Sequence, residues 1–129
     1  MLHVKIYGHA EFIAVRRQQV SDAIQRAGVQ ELGLPEAGRS HRFLGLDGAD
    51  FIHPDDRGAA HLIVEIHVMG GRTDRALRAY LLALQAALED YAGVAPNDLD
   101  VILLETPPAR WSVRGHIGDD LTLPPEVTR

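Results

Sequence analysis

The sequence contains no cysteine, and this absence excludes several kinds of chemistry at once. Without thiols the chain cannot form disulfides, use a cysteine nucleophile or build a zinc–thiolate site. The sequence also lacks a run of about 18 apolar residues, which a transmembrane helix needs. Its first residues have neither the basic start nor the apolar stretch of a signal peptide. We therefore expect a cytoplasmic protein.

Basic residues are outnumbered by acidic ones. The chain has 13 Lys and Arg against 18 Asp and Glu, which gives a formal net charge of −5. This argues against non-specific nucleic-acid binding, because that binding needs a basic surface. With 46% hydrophobic and 24% charged residues, the composition is typical of a soluble globular protein. The length of 129 residues allows one domain with a real core and is too short for two ordinary ones.

Signatures of phosphate, hydrolase and metal sites are missing as well. The segment GGRT is too short for a glycine-rich phosphate loop, and no Ser-His-Asp order stands out. The densest group of potential metal ligands is HPDDRGAAH, which contains His53, Asp55, Asp56 and His61. These side chains could hold a divalent ion, but their spacing matches no recognised ligand motif, and a solvated turn is the favoured alternative. We therefore predict no metal site and no cofactor.

The first half of the chain has the pattern of a strand, a helix and a second strand. Residues 2–7 (LHVKIY) alternate between apolar and polar, which is the period of a half-buried strand. Over residues 13–32 the apolar side chains recur at helical spacing, and Gly33 and Pro35 end this helix. A short strand, RFLGL, follows at residues 42–46.

The second half repeats this order. HLIVEIHVM at residues 61–69 gives the strongest strand signal, because it is rich in β-branched residues. GGRT then marks a break, with Thr73 as the predicted helix N-cap. A helix is predicted over Asp74–Ala92, where leucine and tyrosine side chains recur at i, i+3, i+4 and i+7. A fourth strand, LDVILLE, follows at residues 99–105.

These elements predict an α+β (α/β) fold, in which a duplicated β-α-β unit gives a four-stranded sheet with two helices on one face. Strands joined by helices of this length are expected to pair locally in parallel. We predict a single domain over residues 1–129, with repeats at about 1–58 and 59–106 and a C-terminal arm of short strand or turn elements over 107–129. Since the strands are apolar on both sides in places, we expect self-association to cover the second face. We also expect the arm to lie on a neighbouring subunit.

Several segments together resemble the tautomerase superfamily. In chain order they are GLPEAGRSHRF, DFIHPDD, GRTDRALRAYLLAL, NDLDVILLETP and RWSVRGHIGDD. Within that superfamily the likeness is greatest to the long-chain branch that includes malonate semialdehyde decarboxylase, and it extends over nearly the whole chain. The resemblance implies a tautomerase-like duplicated β-α-β fold that assembles as a homotrimer.

The resemblance also implies that the usual catalytic residue is missing. The superfamily uses an N-terminal proline, exposed by removal of the initiator methionine, as a general base or acid on enols and 2-oxo acids. This sequence has Leu2 at that position, and the bulk of leucine should prevent removal of the methionine. The Met1 amine could replace the proline as a weak base or form a Schiff base with a carbonyl substrate. Leu2 would line or fill the pocket.

Three further positions are assigned through the resemblance. Arg72 is similar to the arginine that binds the substrate carboxylate, and an arginine beside a helix N-terminus suits an anion on general grounds; an exposed arginine is the alternative. Trp111 is similar to the tryptophan that closes the pocket wall; an aromatic anchor between arm and neighbouring subunit is the alternative.

His41 stands where the family often has an acidic residue. It could titrate near neutral pH, as a proton-transfer residue must; a surface histidine at a strand start is the alternative.

Two classes of function remain open. In the first, the protein binds a small 2-oxo or enol carboxylate through Leu2, Arg72 and Trp111 and has weak or altered isomerase-type chemistry, with His41 or the Met1 amine moving protons. In the second, it is a non-catalytic trimeric ligand-binding or interaction protein that has lost the ancestral tautomerase activity. We predict the first.

Overall fold

The structure, a computed structural model, describes residues 2–118 of the chain. Met1 lies outside the described residues, and so does the predicted C-terminal arm beyond residue 118. The predicted catalytic role of the Met1 amine and the predicted contact of the arm with a neighbouring subunit therefore both concern parts of the chain that the structure does not describe.

The chain folds in the predicted order of two β-α-β units. The first unit comprises β1 (Leu2–His9), α1 (Ala10–Leu32) and β2 (His41–Leu46), and the second comprises β3 (Leu62–Met69), α2 (Asp74–Ala92) and β4 (Leu99–Thr106). A small hairpin of β5 (Ser112–Val113) and β6 (His116–Ile117) follows. Neither α1 nor α2 is apolar enough over its length to cross a membrane.

The four long strands form one mixed sheet in the order β2-β1-β3-β4. β1 pairs in parallel with β2, and β3 pairs in parallel with β4, as expected of strands joined by helical crossovers. The central strands β1 and β3 are antiparallel, with Leu2 opposite Val68 and Gly8 opposite Leu62. The two β-α-β units therefore meet along β1 and β3, and the predicted α+β fold is confirmed.

Both helices pack on one face of the sheet and enclose the hydrophobic core. Alternate residues of β1, such as Val4 and Ile6, are fully buried on this face. The helices add their own buried stripe, which includes Ile24 of α1 and Leu84 and Leu88 of α2. Among the described residues no helix covers the opposite face, which we call the open face.

The residues around α1 and α2 account for where these helices end and how they pack. Thr73 is the predicted N-cap of α2, and its Oγ1 accepts a hydrogen bond from the Ala76 N–H at 3.1 Å. Gly93 ends α2 in the left-handed conformation, with φ 69°. Gly28 lies inside α1, where a Cβ would come within 2.6 Å of Leu34 Cδ1. A glycine at this position therefore lets the chain fold back closely against the helix that it has just left.

Candidate functional site

Four strand ends meet where β1 begins. β2 begins beside β1, with His41 opposite Val4, and β3 and β4 end there, with Met69 opposite Thr106. This end of the sheet, which we call the site end, also receives the loop that leads into α2 and the segment that follows β4. The residues predicted for the site within the described chain all lie here: Leu2, His41, Arg72 and Trp111.

The predicted residues divide between the two faces of the sheet. Leu2 and His41 lie on the helix-covered face, because they share it with the buried Val4. Leu2 is half-buried and packs against the core. Trp111 instead contacts the open face, where its ring stacks on that of His3 with centroids 5.7 Å apart. The Trp111 indole Nε1 donates to the carbonyl of Thr106 at 3.1 Å, which fixes the ring at the end of β4.

Arg72 is buried between the start of α2 and the end of α1. Its side chain is only 7% exposed, and its Nη2 donates to the carbonyl of Leu32, the last residue of α1, over 3.5 Å. A guanidinium is favourable there, because the terminal carbonyls of a helix carry partial negative charge. The alternative of an exposed arginine is wrong. The predicted contact of Arg72 with a substrate carboxylate stays a prediction.

His41 belongs to a polar network against α1. Its Nδ1 lies 2.7 Å from Ser21 Oγ, which also accepts a hydrogen bond from Arg39 Nη1 at 3.0 Å. Arg39 in turn pairs with Asp22 at 2.7 Å. Burial, together with the nearby charge of Arg39, lowers the pKa of His41 from its ordinary 6.5 to about 4. The expectation that His41 titrates near neutral pH is therefore wrong, because a half-buried imidazole beside a guanidinium stays neutral.

His3 is a residue of the site end that the sequence patterns did not indicate. Its Nδ1 lies 2.9 Å from Ser40 Oγ, and its ring stacks on Trp111. Burial lowers the pKa of His3, and the charges of Arg42 and His67 act in the same direction. Only the register of β1 against β2, which places Ser40 beside His3, brings these groups together. No spacing in the sequence could have shown this.

Three arginines lie at the site end, and one of them, Arg39, is paired with Asp22. Arg39 and Arg42 are exposed and lie close enough to His41 and His3, respectively, to lower the pKa values of those imidazoles. Arg72 adds a third guanidinium in the interior. Chemically, this arrangement can attract a small anion, and on the open face it places the imidazole of His3 near Arg42.

In the structure, the histidines and the aspartates of HPDDRGAAH lie in different surroundings. His61 is buried, and its Nδ1 donates to the carbonyl of Asp98 at 2.8 Å, whereas Asp55 and Asp56 are exposed. Within residues 2–118, no group of three or more His, Asp or Glu side chains is arranged to hold a metal ion.

Comparisons with known proteins agree with this fold. The family model described as tautomerase enzyme matches residues 38–114. A malonate semialdehyde decarboxylase with decarboxylase and hydratase activities has a TM-score of 0.80 at 22% identity, over 93% of this chain and 99% of that chain. Another malonate semialdehyde decarboxylase, inhibited by 3-bromopropiolate, has a TM-score of 0.76 at 26% identity, over 95% and 99% of the two chains. A fused 4-OT that forms a symmetric trimer has a TM-score of 0.71 at 28% identity, over 91% and 94%.

Proposed function

The chain belongs to the tautomerase family, and on that premise we propose that it binds a small 2-oxo or enol carboxylate at the site end and catalyses weak or altered isomerase-type proton transfer on it. The observation that carries the proposal is the exposed Arg42 beside His3 at the start of β1, with the buried Arg72 at the same end of the sheet. These charges would attract a carboxylate. The likeness to a malonate semialdehyde decarboxylase inhibited by 3-bromopropiolate, itself a small unsaturated carboxylate, supports this class of ligand.

We propose that the chemistry does without the N-terminal proline that the superfamily uses, since the resemblance assigns that position to Leu2. Leu2 has no group that can transfer a proton, so we assign it to the lining of the pocket. The amine of Met1 remains the predicted replacement base. His3 is a second candidate, because its imidazole lies at the same end of β1 and contacts Ser40. His41 suits the role less well, since a pKa of about 4 makes it a weak base at pH 7.

We propose that one of two arginines, which lie on opposite faces of the sheet, holds the carboxylate. Arg72 is the predicted contact, and its position at the end of α1 keeps its guanidinium fixed. Arg42 is exposed and lies close to His3, so it offers the same planar donor on the open face. Trp111 would form the wall of the pocket beside His3.

Ketonisation of phenylenolpyruvate, followed by ultraviolet absorbance, tests this function. We expect slow ketonisation by the wild type and faster ketonisation by Leu2→Pro, since a chain that begins Met-Pro exposes a proline once the methionine is removed. Arg72→Ala should abolish the activity of both. Arg78→Ala, which removes an exposed arginine from α2, is the matched control and should leave the rate unchanged.

The same assay distinguishes the roles of His3 and His41. His3→Gln should lower kcat and His41→Gln should not, if His3 is the group that moves the proton. If neither the wild type nor Leu2→Pro ketonises phenylenolpyruvate while both remain folded, the pocket does not accept this class of substrate and the proposed function fails. Wild-type activity that survives both Arg72→Ala and Arg42→Ala would contradict the carboxylate site.

We also infer that the protein assembles as a homotrimer through the open face. Leu44 and Ile102 lie on this face and are 38% and 48% exposed, and the fused 4-OT that is 28% identical forms a symmetric trimer. Light scattering should give three times the mass of one chain. Ile102→Glu should break the assembly, whereas Ile52→Glu should not, since Ile52 is 93% exposed and lies outside the sheet. A monomeric wild type would contradict the inference.

The domain organisation is also a proposal. We propose that residues 1–129 form one domain, with repeats at about 1–58 and 59–106 and an arm over 107–129. The cytoplasmic location stays a prediction.

A further inference from the structure

A second histidine lies directly beside His3 on the open face of the site end. The register of the two central strands places His67 of β3 opposite His3 of β1. Side chains that face each other across an antiparallel pair have Cβ atoms about 4.5–5.5 Å apart, so the two imidazoles are neighbours. Both residues are half-buried. His67 has no part in the chemistry proposed above.

The surroundings of this pair are partly apolar. The Trp111 ring stacks on that of His3 with centroids 5.7 Å apart, and Leu104 of β4 lies opposite His67. Met69, two residues after His67 and on the same face of the sheet, is only 1% exposed. This end of the open face is therefore shielded from solvent, which strengthens the electrostatic interactions between the groups that lie there.

Ser40 fixes the orientation of the His3 ring. Its Oγ lies 2.9 Å from His3 Nδ1, and its backbone carbonyl accepts a hydrogen bond from the Val4 N–H at 3.0 Å. The second bond holds Ser40 against β1, so the hydroxyl stays beside the imidazole. Since Nδ1 is occupied by the hydroxyl, Nε2 is the His3 atom that is left to exchange a proton with a substrate.

The charges around the pair favour one proton shared between two rings. Two imidazolium ions side by side repel each other, so protonation of one ring disfavours protonation of the other. Burial lowers the pKa of His3, and the charges of Arg42 and His67 lower it further. In the next row across the same face, Arg42, Lys5 and Glu65 lie in register. His3 is therefore the ring that stays neutral and can accept a proton, which leaves His67 as the ring that can donate one.

We propose that His3 and His67 act as a base and an acid in the ketonisation of the bound enol, an inference that rests on the proposed function. Nε2 of His3 takes the proton of the enol O–H, and the electron pair of that bond completes the C=O double bond. The electron pair of the C=C bond takes a proton from the His67 imidazolium at C-3. His3 is then charged and His67 neutral, and proton exchange with water restores the pair. Arg42, on the same face, holds the carboxylate.

The test is the pH dependence of phenylenolpyruvate ketonisation by the full-length wild type and its histidine variants. We expect a bell-shaped profile of kcat/KM for the wild type. His67→Gln should lower kcat by about 10²-fold with little change in KM, and it should remove the decline at high pH, because the acid is lost. His3→Gln should remove the decline at low pH, because the base is lost. His116→Gln, an exposed histidine of β6, should match the wild type.

Imidazole NMR of the same proteins gives a readout that needs no substrate. Because His67→Gln removes a neighbouring like charge, it should raise the titration midpoint of His3 by about 0.5 pH unit or more. His116→Gln should leave that midpoint unchanged. The spectra also show whether each variant is folded. If His67→Gln does not fold, the wild-type curves decide: two coupled steps in each ring support the pair, and independent single steps exclude it.

The results separate this inference from the proposed function. An active wild type whose kcat and pH profile are unchanged in His67→Gln overturns the role of His67 and leaves the proposed function standing. A His3 midpoint that does not respond to His67→Gln overturns the pair as well. An inactive wild type refutes the proposed function, and the proton transfer by this pair fails with it.

Discussion

The neutral, half-buried His41 should make the protein less stable in mild acid. Its pKa is about 4 in the folded chain, whereas the unfolded chain has the ordinary value of 6.5. Because the folded pKa is the lower of the two, the unfolded state binds more protons between these values, and acid favours unfolding. The stability that depends on a neutral His41 is fully present above about pH 6.5 and is lost as the pH falls toward 4.

The size of this effect follows from the linkage between proton binding and unfolding. Each pH unit within the window is worth about 1.4 kcal/mol, which gives about 2 kcal/mol between pH 7 and pH 5. Since His41 is only partly buried, solvent screening reduces the expected loss to about 1–2 kcal/mol. His41→Gln keeps a polar side chain that can face Ser21 but does not titrate, so it should lack this part of the pH dependence.

Urea denaturation of the wild type and His41→Gln at the two pH values measures this loss. Equal chain concentrations are needed, because assembly makes stability depend on concentration. With an m value of about 2 kcal/mol/M, the wild-type midpoint should fall by about 0.5–1 M more than that of the variant. His116→Gln, an exposed histidine of β6, should follow the wild type. Equal losses in the wild type and His41→Gln would refute the reasoning.

Three further substitutions test the packing and the helix ends, each by urea denaturation at pH 7. The Tyr80 hydroxyl is buried without a hydrogen-bond partner among the described residues, so Tyr80→Phe should be neutral or stabilise by up to about 1–2 kcal/mol; a clear loss would reveal a partner. Thr73→Ala should lower the free energy of unfolding by about 1 kcal/mol and Thr73→Ser by much less, because serine keeps the oxygen that caps α2. Equal losses of stability in the two variants would contradict the capping role. Gly93→Ala should cost about 1–2 kcal/mol through its left-handed backbone alone, since a Cβ there meets nothing within 4 Å. An unchanged midpoint would contradict that strain.

Helices and strands whose two ends are marked by nearby residues could be predicted from the sequence. α2 is the clearest case, because Thr73 caps its start, Gly93 ends it, and an apolar stripe joins the two. α1 begins at Ala10, a turn earlier than the pattern indicated. Its N-cap residue, His9, makes no side-chain capping hydrogen bond, so no local chemistry marks the start. The antiparallel pairing of β1 with β3 is a long-range contact, and the alternation within each strand carries no information about it.

The candidate site shows the same division between local and long-range information. Alternation along β1 and β2 assigns His41 to a face but does not name its neighbours. Its low pKa depends on burial against α1 and on Arg39, which only the packed structure brings close. The surroundings of Arg72 also depend on packing. Its position before a helix N-terminus suggested an anion site, but its side chain is buried because α1 ends beside it. Sequence patterns therefore selected residues that lie at one end of the sheet, but they did not indicate the burial of Arg72 or the low pKa of His41.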